Sequence, residues 1–94
     1  MNNLNLKYTK HCNLRCQQRG ISIDVIDFIV EHGKFKNSHR DKKYYINKKI
    51  LNKLKHKHRT FLKKFEKQVL KTGVILNKDT VITAFKIQGN FIWN

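Results

Sequence analysis

The chain has 94 residues, which is enough for one hydrophobic core and excludes a multidomain enzyme, so we predict a single domain over residues 1–94. Apolar residues make up 39% of the chain and charged residues 29%, which favours a folded domain with an ionic surface over a disordered segment. The 21 lysines and arginines outnumber 6 acidic residues, and the formal net charge of +15 favours an anionic partner.

Two helices are predicted at the start of the chain. Thr9 is placed to cap a helix that ends at Gly20, a residue suited to the left-handed conformation. Ser22 is placed to cap a second helix, in which apolar residues recur at intervals of three and four and which ends at Gly33. Because so few residues separate the two helices, we expect a tight helical corner.

The pattern changes after Gly33 to one typical of strands. A polar turn precedes Tyr44, Tyr45 and Ile46, whose aromatic and β-branched character predicts a strand paired with the segment around Phe35. Asn47 is then placed to cap a third helix, with lysines on its outer face and a possible break between residues 56 and 59.

The last third of the chain predicts a β-hairpin. Its strands are residues 69–76 and 80–87, and Asn77, Lys78 and Asp79 form the turn between them. A further turn is expected at Gly89 and Asn90. The order of elements predicts an α+β fold in which two N-terminal helices pack on an antiparallel sheet and a basic helix is inserted between strands.

Cys12 and Cys16 are the only cysteines, and we expect both to be reduced. Their spacing of four on a helix matches neither a disulfide framework nor the CxxC pattern of zinc and redox sites. We therefore predict two small, half-buried side chains on a packed helix face, and no metal or other cofactor.

Positive charge is concentrated between Lys34 and Lys71, where 15 basic residues accompany two acidic ones, for a net charge of +13. Neutralising phosphates with such a surface releases counterions and produces sequence-independent, salt-sensitive affinity for RNA or DNA. We expect lysines of the third helix, Lys48, Lys49 and Lys53, to bind phosphates. A solvated helix face and a surface for an acidic protein are the alternatives.

The candidate catalytic residues are on the first helix. His11, Arg15, Gln18 and Arg19 lie on or beside a single stripe of its surface. A histidine titrates near neutral pH, so it exchanges protons with a ribose 2′-hydroxyl or a leaving 5′-oxygen, while arginines hold the phosphate. The structural alternative is a capping or partly buried His11, with arginines paired to acidic residues of the second helix.

The same segment resembles a family of small bacterial and phage domains that open with HxxxRxxQRGI. Here residues 11–20 read HCNLRCQQRG and are followed by ISIDVIDFIVEHGK. The family's later features also follow in order: Gly33, the strand at Tyr44 to Ile46, a basic helix, and a "viT" element at Val81 to Thr83. The family is grouped with the barnase/EndoU/colicin/RelE ribonuclease superfamily, many of whose members are toxins.

The resemblance implies a RelE/barnase-like fold in which His11, Arg15 and Arg19 are catalytic and Thr83 completes the pocket. Gln18, Tyr45 and Lys86 would contact the substrate. Relatives often carry a His and an Arg shortly after the threonine, whereas this chain has Ala84, Phe85 and Lys86, so Lys86 would supply the basic group.

The leading functional prediction is a toxin-type ribonuclease that needs no metal and is restrained by an acidic antitoxin or immunity protein. The alternative is a non-catalytic nucleic-acid-binding module on the same fold. No run of residues is as long and apolar as a membrane-spanning helix, and the first ten residues lack the apolar stretch of a signal peptide. We therefore predict no membrane partner and a cytoplasmic protein, with delivery into a target cell's cytoplasm as the other route.

Overall fold

Residues 6–87 are described by the computed structural model, and they form four helices and five strands. The elements in chain order are β1 (Lys7–Tyr8), α1 (Lys10–Arg19), α2 (Ile23–His32), β2 (Lys34–Ser38), β3 (Asp41–Tyr45), α3 (Lys48–Leu54), α4 (Arg59–Lys71), β4 (Thr72–Asn77) and β5 (Thr80–Lys86). The predicted α+β class is confirmed. The turn expected at Gly89 and Asn90 lies outside the described residues.

The sheet is mixed, so the prediction of an antiparallel sheet is confirmed for β2 to β5 and is wrong for β1. Its strand order is β1-β5-β4-β3-β2, and β1 runs parallel to β5 while the other pairs are antiparallel. β1 contributes only two residues, Lys7 opposite Thr80 and Tyr8 opposite Val81. A strand this short carries no alternating pattern, so sequence periodicity could not reveal it.

The predicted helix ends are confirmed in detail. Thr9 Oγ1 accepts a hydrogen bond from the Cys12 amide at 2.9 Å, and Gly20 closes α1 in the left-handed conformation at φ 66°. Ser22 caps α2 through the Asp24 amide at 3.2 Å, and Asn47 Oδ1 caps α3 through the amide of Ile50 at 2.8 Å. These caps satisfy amides that have no partner within the helix.

The predicted third helix is two helices. α3 ends at Leu54 and α4 begins at Arg59, which places the break in the segment where the sequence predicted it. α4 then continues through Lys71, so the prediction of a strand from residue 69 is wrong for its first three residues. Val69 is completely buried in the core from a helical position, so tertiary burial outweighs its β propensity.

One hydrophobic core lies between the helices and one face of the sheet. It includes Cys12, Cys16, Val25, Ile26, Ile29, Leu62, Val69, Val74, Val81 and Ala84. α1 packs on β5, α2 packs on β3 and β4, and α4 packs against α2. None of the helices within residues 6–87 is both long enough and apolar enough to span a membrane.

A β-bulge changes which side chains of β5 face this core. Ile75 pairs with Thr83, whereas the next residue, Leu76, pairs with Val81, so Ile82 is the extra residue. Val81 and Ala84 are therefore both fully buried although they are three positions apart. The bulge thus determines the direction of Thr83, which the sequence analysis placed in the site.

Candidate functional site

The predicted stripe on α1 exists and is accessible. His11, Arg15 and Gln18 are all exposed. Cys12 and Cys16 are buried on the face that packs against β5, so the residue immediately before each cysteine lies on the flank of the helix. His11 and Arg15 are one helical turn apart on that flank, which allows both to contact one ligand.

Arg19 is half-buried and has a different position. Its Nη1 atom donates a hydrogen bond to the backbone oxygen of Ala84 on β5 at 2.9 Å. β1 pairs with β5 only as far as Val81, so the outer edge of β5 beyond that residue has no neighbouring strand within the described part of the chain. Arg19 therefore supplies a donor to the edge of the sheet.

Thr9 also forms a hydrogen bond to β5. Its Oγ1 atom, besides capping α1, donates to the carbonyl oxygen of Ile82 at 3.4 Å. The two ends of α1 are thus fastened to β5, because Thr9 bonds to Ile82 and Arg19 bonds to Ala84. These two residues of β5 are two positions apart. This fastening places the His11–Arg15 flank alongside β5.

Thr83 and Lys86 lie on opposite faces of β5. Ala84 points into the core, so its neighbour Thr83 points to the other face, where its cross-strand partner is Ile75. Lys86 is two positions after Ala84 and shares its face, in an exposed position at the strand end. The hydrogen bond from Arg19 to Ala84 brings the guanidinium close to the backbone of Thr83, but the threonine side chain lies across the strand.

Tyr45 is on the same face as Thr83 but is only 6% exposed. Its neighbour Tyr44 packs against the core and pairs with Val74, so alternation directs Tyr45 to the opposite side. Little of its ring is accessible to a substrate. The predicted contact between Tyr45 and RNA therefore has a small surface available to it.

The lysines predicted to bind phosphate form a separate part of the surface. Lys48, Lys49 and Lys53 are exposed on α3, whereas Ile50 and Leu51 of the same helix are buried. α3 follows β3, and β4 separates β3 from β5 in the sheet. The structure therefore brings together the α1 flank and β5, and it places the α3 lysines at a distance from them in the sheet order.

The acidic residues of α2 do not pair with the arginines of α1. Within residues 6–87, neither Arg15 nor Arg19 forms an ion pair with an acidic side chain. Asp27 instead accepts a hydrogen bond from the Tyr8 hydroxyl, which ties β1 to α2. Burial, followed by this bond to Asp27, raises the pKa of Tyr8 well above its ordinary value.

The thiols of Cys12 and Cys16 are buried and poorly reactive. Cys12 and Cys16 are 0% and 2% exposed, more deeply buried than the sequence suggested, and their Sγ atoms are 3.9 Å apart without a disulfide. Burial, with a smaller effect from Cys16, raises the pKa of Cys12 to about 12. Burial also raises the pKa of Cys16. Thiolates, the reactive form, are disfavoured in both cases.

Sequence reasoning missed a cavity of about 360 Å³ between α2 and α4. Its walls combine the carboxylates of α2 with an aromatic cluster: Asp24, Asp27, Glu31, Phe28, His32, His58 and Phe61. The His32 and His58 rings are 4.5 Å apart, and the Phe28 and Phe61 rings stack at the same separation. Helical spacing places the five α2 residues on one stripe, but the approach of His58 and Phe61 to that stripe exists only in the fold.

His32 is the perturbed base of that cavity. Burial, with a smaller contribution from His58, lowers the pKa of His32. The carboxylate of Glu31 opposes this decrease, and its Oε2 atom lies 3.1 Å from His32 Nε2. His58 begins α4 but makes no side-chain cap, because its ring is packed in the aromatic cluster. The first turn of α4 therefore has no side-chain acceptor from its cap residue.

No family model matches this chain. Neither the curated proteins nor the solved structures contain a match. Within residues 6–87, no three His, Cys, Asp or Glu side chains are grouped to hold a metal ion. Functional assignment therefore depends on the chemistry and placement of the residues described above.

Proposed function

We propose that the protein is an endoribonuclease that cleaves RNA by transesterification without a metal ion. The observation that supports this most is the exposed pair His11 and Arg15, one turn apart on the flank of α1 that is fastened alongside β5. The pair combines an imidazole, which can accept a proton, with a planar phosphate binder. The resemblance of residues 11–20 to the HxxxRxxQRG domains points in the same direction.

In this mechanism the 2′-oxygen of a ribose attacks the adjacent phosphorus. His11 accepts the 2′-hydroxyl proton as the bond from the 2′-oxygen to phosphorus forms. The bond from phosphorus to the 5′-oxygen breaks, and the leaving oxygen takes a proton from water. The hydroxide that remains takes the proton from His11, which returns to its neutral form. The products are a 2′,3′-cyclic phosphate and a 5′-hydroxyl end, so atoms and charge balance without an added reagent.

Arginine and lysine side chains stabilise the charge that develops on the phosphate. Arg15 is free to bind two phosphate oxygens through its fork, and the guanidinium of Arg19 retains further N–H donors beside its bond to Ala84. Lys86 contributes from the end of β5. Thr83 lies on the other face of β5, so it orients the 2′-hydroxyl or the phosphate only if the RNA passes around the edge of β5.

The excess of basic residues recruits the substrate. The net charge of +13 between Lys34 and Lys71 attracts an RNA strand and makes its affinity fall with rising salt. Such a nuclease acting in the cytoplasm of the cell that makes it requires restraint. We propose a toxin whose inhibitor is an acidic protein that covers part of the basic surface.

A second candidate function is nucleic-acid binding without cleavage. Two observations favour it. Arg19 is engaged with Ala84, and Thr83 points away from the face on which α1 lies. In that case the α1 cluster holds helix and sheet together, and only the basic surface contacts nucleic acid. The two candidates make opposite predictions for His11.

The deciding experiment compares wild-type protein with His11→Ala and with a matched control, Gln17→Ala, which removes an exposed side chain from the other flank of α1. Each protein is incubated with total bacterial RNA in EDTA, and the products are resolved on a gel and tested for cyclic phosphate ends. We expect cleavage by the wild type and the control and none by His11→Ala, with RNA shifts on native gels unchanged.

Intact RNA with all three proteins, together with a shift on a native gel, would establish the binding module instead. Equal cleavage by wild type and His11→Ala would remove His11 from the mechanism. Inhibition by EDTA would contradict the metal-independent reaction. Circular dichroism of each variant separates a loss of chemistry from a loss of fold.

A further inference from the structure

A second concave site lies at the corner between α3 and α4. It has a volume of about 460 Å³, and we call it the α3–α4 groove. Its basic lining consists of Lys55 and His56 from the end of α3 and the connecting segment, and of Arg59 and Lys63 from the first turns of α4. None of these four residues belongs to the lysine set that the sequence analysis assigned to phosphate binding.

The charge of the groove is positive after internal pairing. Glu66 is its acidic lining residue, and its Oε1 atom lies 3.5 Å from the ammonium group of Lys55. This pair leaves Arg59 and Lys63 without a carboxylate within ion-pair distance in the described part of the chain. They are four positions apart in one helix and both exposed, so they project from the same side of α4.

The amino end of α4 adds to this positive potential. α4 is 13 residues long and has no acidic residue in its first turn. His58, at its start, provides no cap because its ring packs against Phe28 and His32 on the opposite side. The helix dipole therefore favours negative charge near this end of α4, with no side chain of its own cap residue to oppose it.

We propose that the α3–α4 groove binds a phosphate of the RNA backbone and anchors the strand while a neighbouring part of it reaches α1. The inference deepens the proposed function and rests on it for the identity of the polyanion. Arg59 supplies a planar fork for phosphate oxygens, and Lys63 supplies a point charge beside it. The volume is in the range of sites that hold small ligands.

The lining favours a phosphate over an acidic protein. Protein interfaces are centred on apolar or aromatic side chains that fill pockets on the partner. Leu62 is the apolar lining residue of the groove, and it is only 2% exposed because it belongs to the core. The groove therefore offers charge and hydrogen-bond donors with little apolar surface, which suits a phosphate chain.

The test uses the double variant Arg59→Gln/Lys63→Gln and a control that removes the same charge from another element, Lys34→Gln/Lys36→Gln on β2. The probe is a fluorescein-labelled 12-nucleotide RNA with 2′-O-methyl groups throughout, which cannot undergo transesterification. Its affinity is measured by anisotropy at several KCl concentrations. We expect the groove variant to bind about tenfold more weakly, with a shallower salt dependence, and the control to lose about twofold or less.

Titration of ¹⁵N-labelled wild-type protein with inorganic phosphate and with the same RNA locates the site. We expect both to shift the amides of Arg59 and Lys63, which line the groove. Equal losses of affinity in the two variants would overturn the proposal, since charge alone would explain the binding. Shifts with inorganic phosphate but not with RNA would also overturn it. A polyglutamate peptide that binds the groove more tightly than RNA would identify an acidic protein as the occupant.

These outcomes are separate from those of the cleavage assay. A groove variant that loses RNA affinity, in a protein that leaves RNA uncut, would keep the anchor and reject the ribonuclease. A wild-type protein that cleaves RNA while both variants bind equally would keep the ribonuclease and reject the anchor. Thermal unfolding of both variants identifies any loss of fold, which neither pair of lysine or arginine substitutions is expected to cause, because none of the four side chains is buried.

Discussion

Arg19 on α1 and Ala84 on β5 are joined by a hydrogen bond of 2.9 Å that spans 65 positions of sequence. The carbonyl of Ala84 lies on the edge of β5 that β1 leaves uncovered, so the arginine completes the bonding of an exposed sheet edge. Arg15, one turn earlier on the same helix, is exposed and makes no ion pair with an acidic side chain in residues 6–87. Two arginines of one sequence motif thus have different roles.

This difference predicts opposite phenotypes for the two arginines. Arg19→Ala should lower the free energy of unfolding by about 1–3 kcal/mol, because it removes a charge-assisted hydrogen bond to a half-buried carbonyl. Arg15→Ala should change it by less than about 0.5 kcal/mol, as for other surface substitutions, while reducing RNA cleavage. Urea denaturation and the RNA gel assay measure the two effects. Equal stability of both variants would contradict the structural role of Arg19.

The His32–His58 pair predicts a loss of stability in acid. The pKa of His32 is lowered in the folded protein, so the unfolded chain binds more protons as the pH falls through about 6.5. Stability should therefore decrease from pH 7.5 to pH 5.5. Glu31 beside His32, and Asp24 and Asp27 in the same cavity, oppose part of this decrease.

Replacing His32 with Phe should flatten that dependence, since the ring is kept among its aromatic neighbours and the titrating group is removed. Urea midpoints at the two pH values provide the measurement. His39→Asn, on the exposed turn between β2 and β3, is the control and should keep the wild-type slope. A His32→Phe protein with an unchanged slope would assign the pH dependence to another group.

Gly33 is required by the close approach of two backbone segments. A Cβ atom at this position would lie 2.5 Å from the carbonyl oxygen of Ile29 and 2.5 Å from that of Tyr45. Gly33→Ala should therefore force α2 away from β3 and cost about 1–3 kcal/mol of unfolding free energy. Thermal or urea unfolding tests this.

Gly20 provides the comparison for Gly33. It has no atom within 4 Å of an added Cβ, but its φ of 66° is strained for other residues. Gly20→Ala should cost about 1–2 kcal/mol, and Gly20→Asn less, because asparagine tolerates the left-handed conformation. If Asn at position 33 were as well tolerated as Asn at position 20, the close approach would not explain Gly33.

The buried thiols predict slow modification of the native protein. Cys12 and Cys16 are inaccessible, and burial raises the pKa of both, so a thiol reagent should react at a rate limited by opening of α1. Two equivalents of thiol per chain should react rapidly in denaturant with Ellman's reagent. Rapid reaction in native buffer would show that α1 separates from β5 readily, which would conflict with the bonds of Thr9 and Arg19 to that strand.

Local features of the fold were predictable because their causes are local. Thr9, Ser22 and Asn47 begin their helices as expected, since a cap is determined by one side chain and an amide two or three residues later. The prediction that a strand begins at Val69 was wrong because the deciding cause is not local. Its apolar residues suit a strand or a buried helix equally well, and only packing against α2 and the sheet decides between them.

The candidate site divides in the same way. Sequence spacing alone determined that His11 and Arg15 share one flank of a helix, and composition alone determined that the middle of the chain is strongly basic. The tertiary structure decided that Arg19 serves the edge of β5, that the bulge at Ile82 turns Thr83 away from α1, and that Arg59 and Lys63 line a groove. Helix periodicity follows from the geometry of the single chain, whereas strand edges, bulges and grooves exist only when distant segments pair, so no local pattern encodes them.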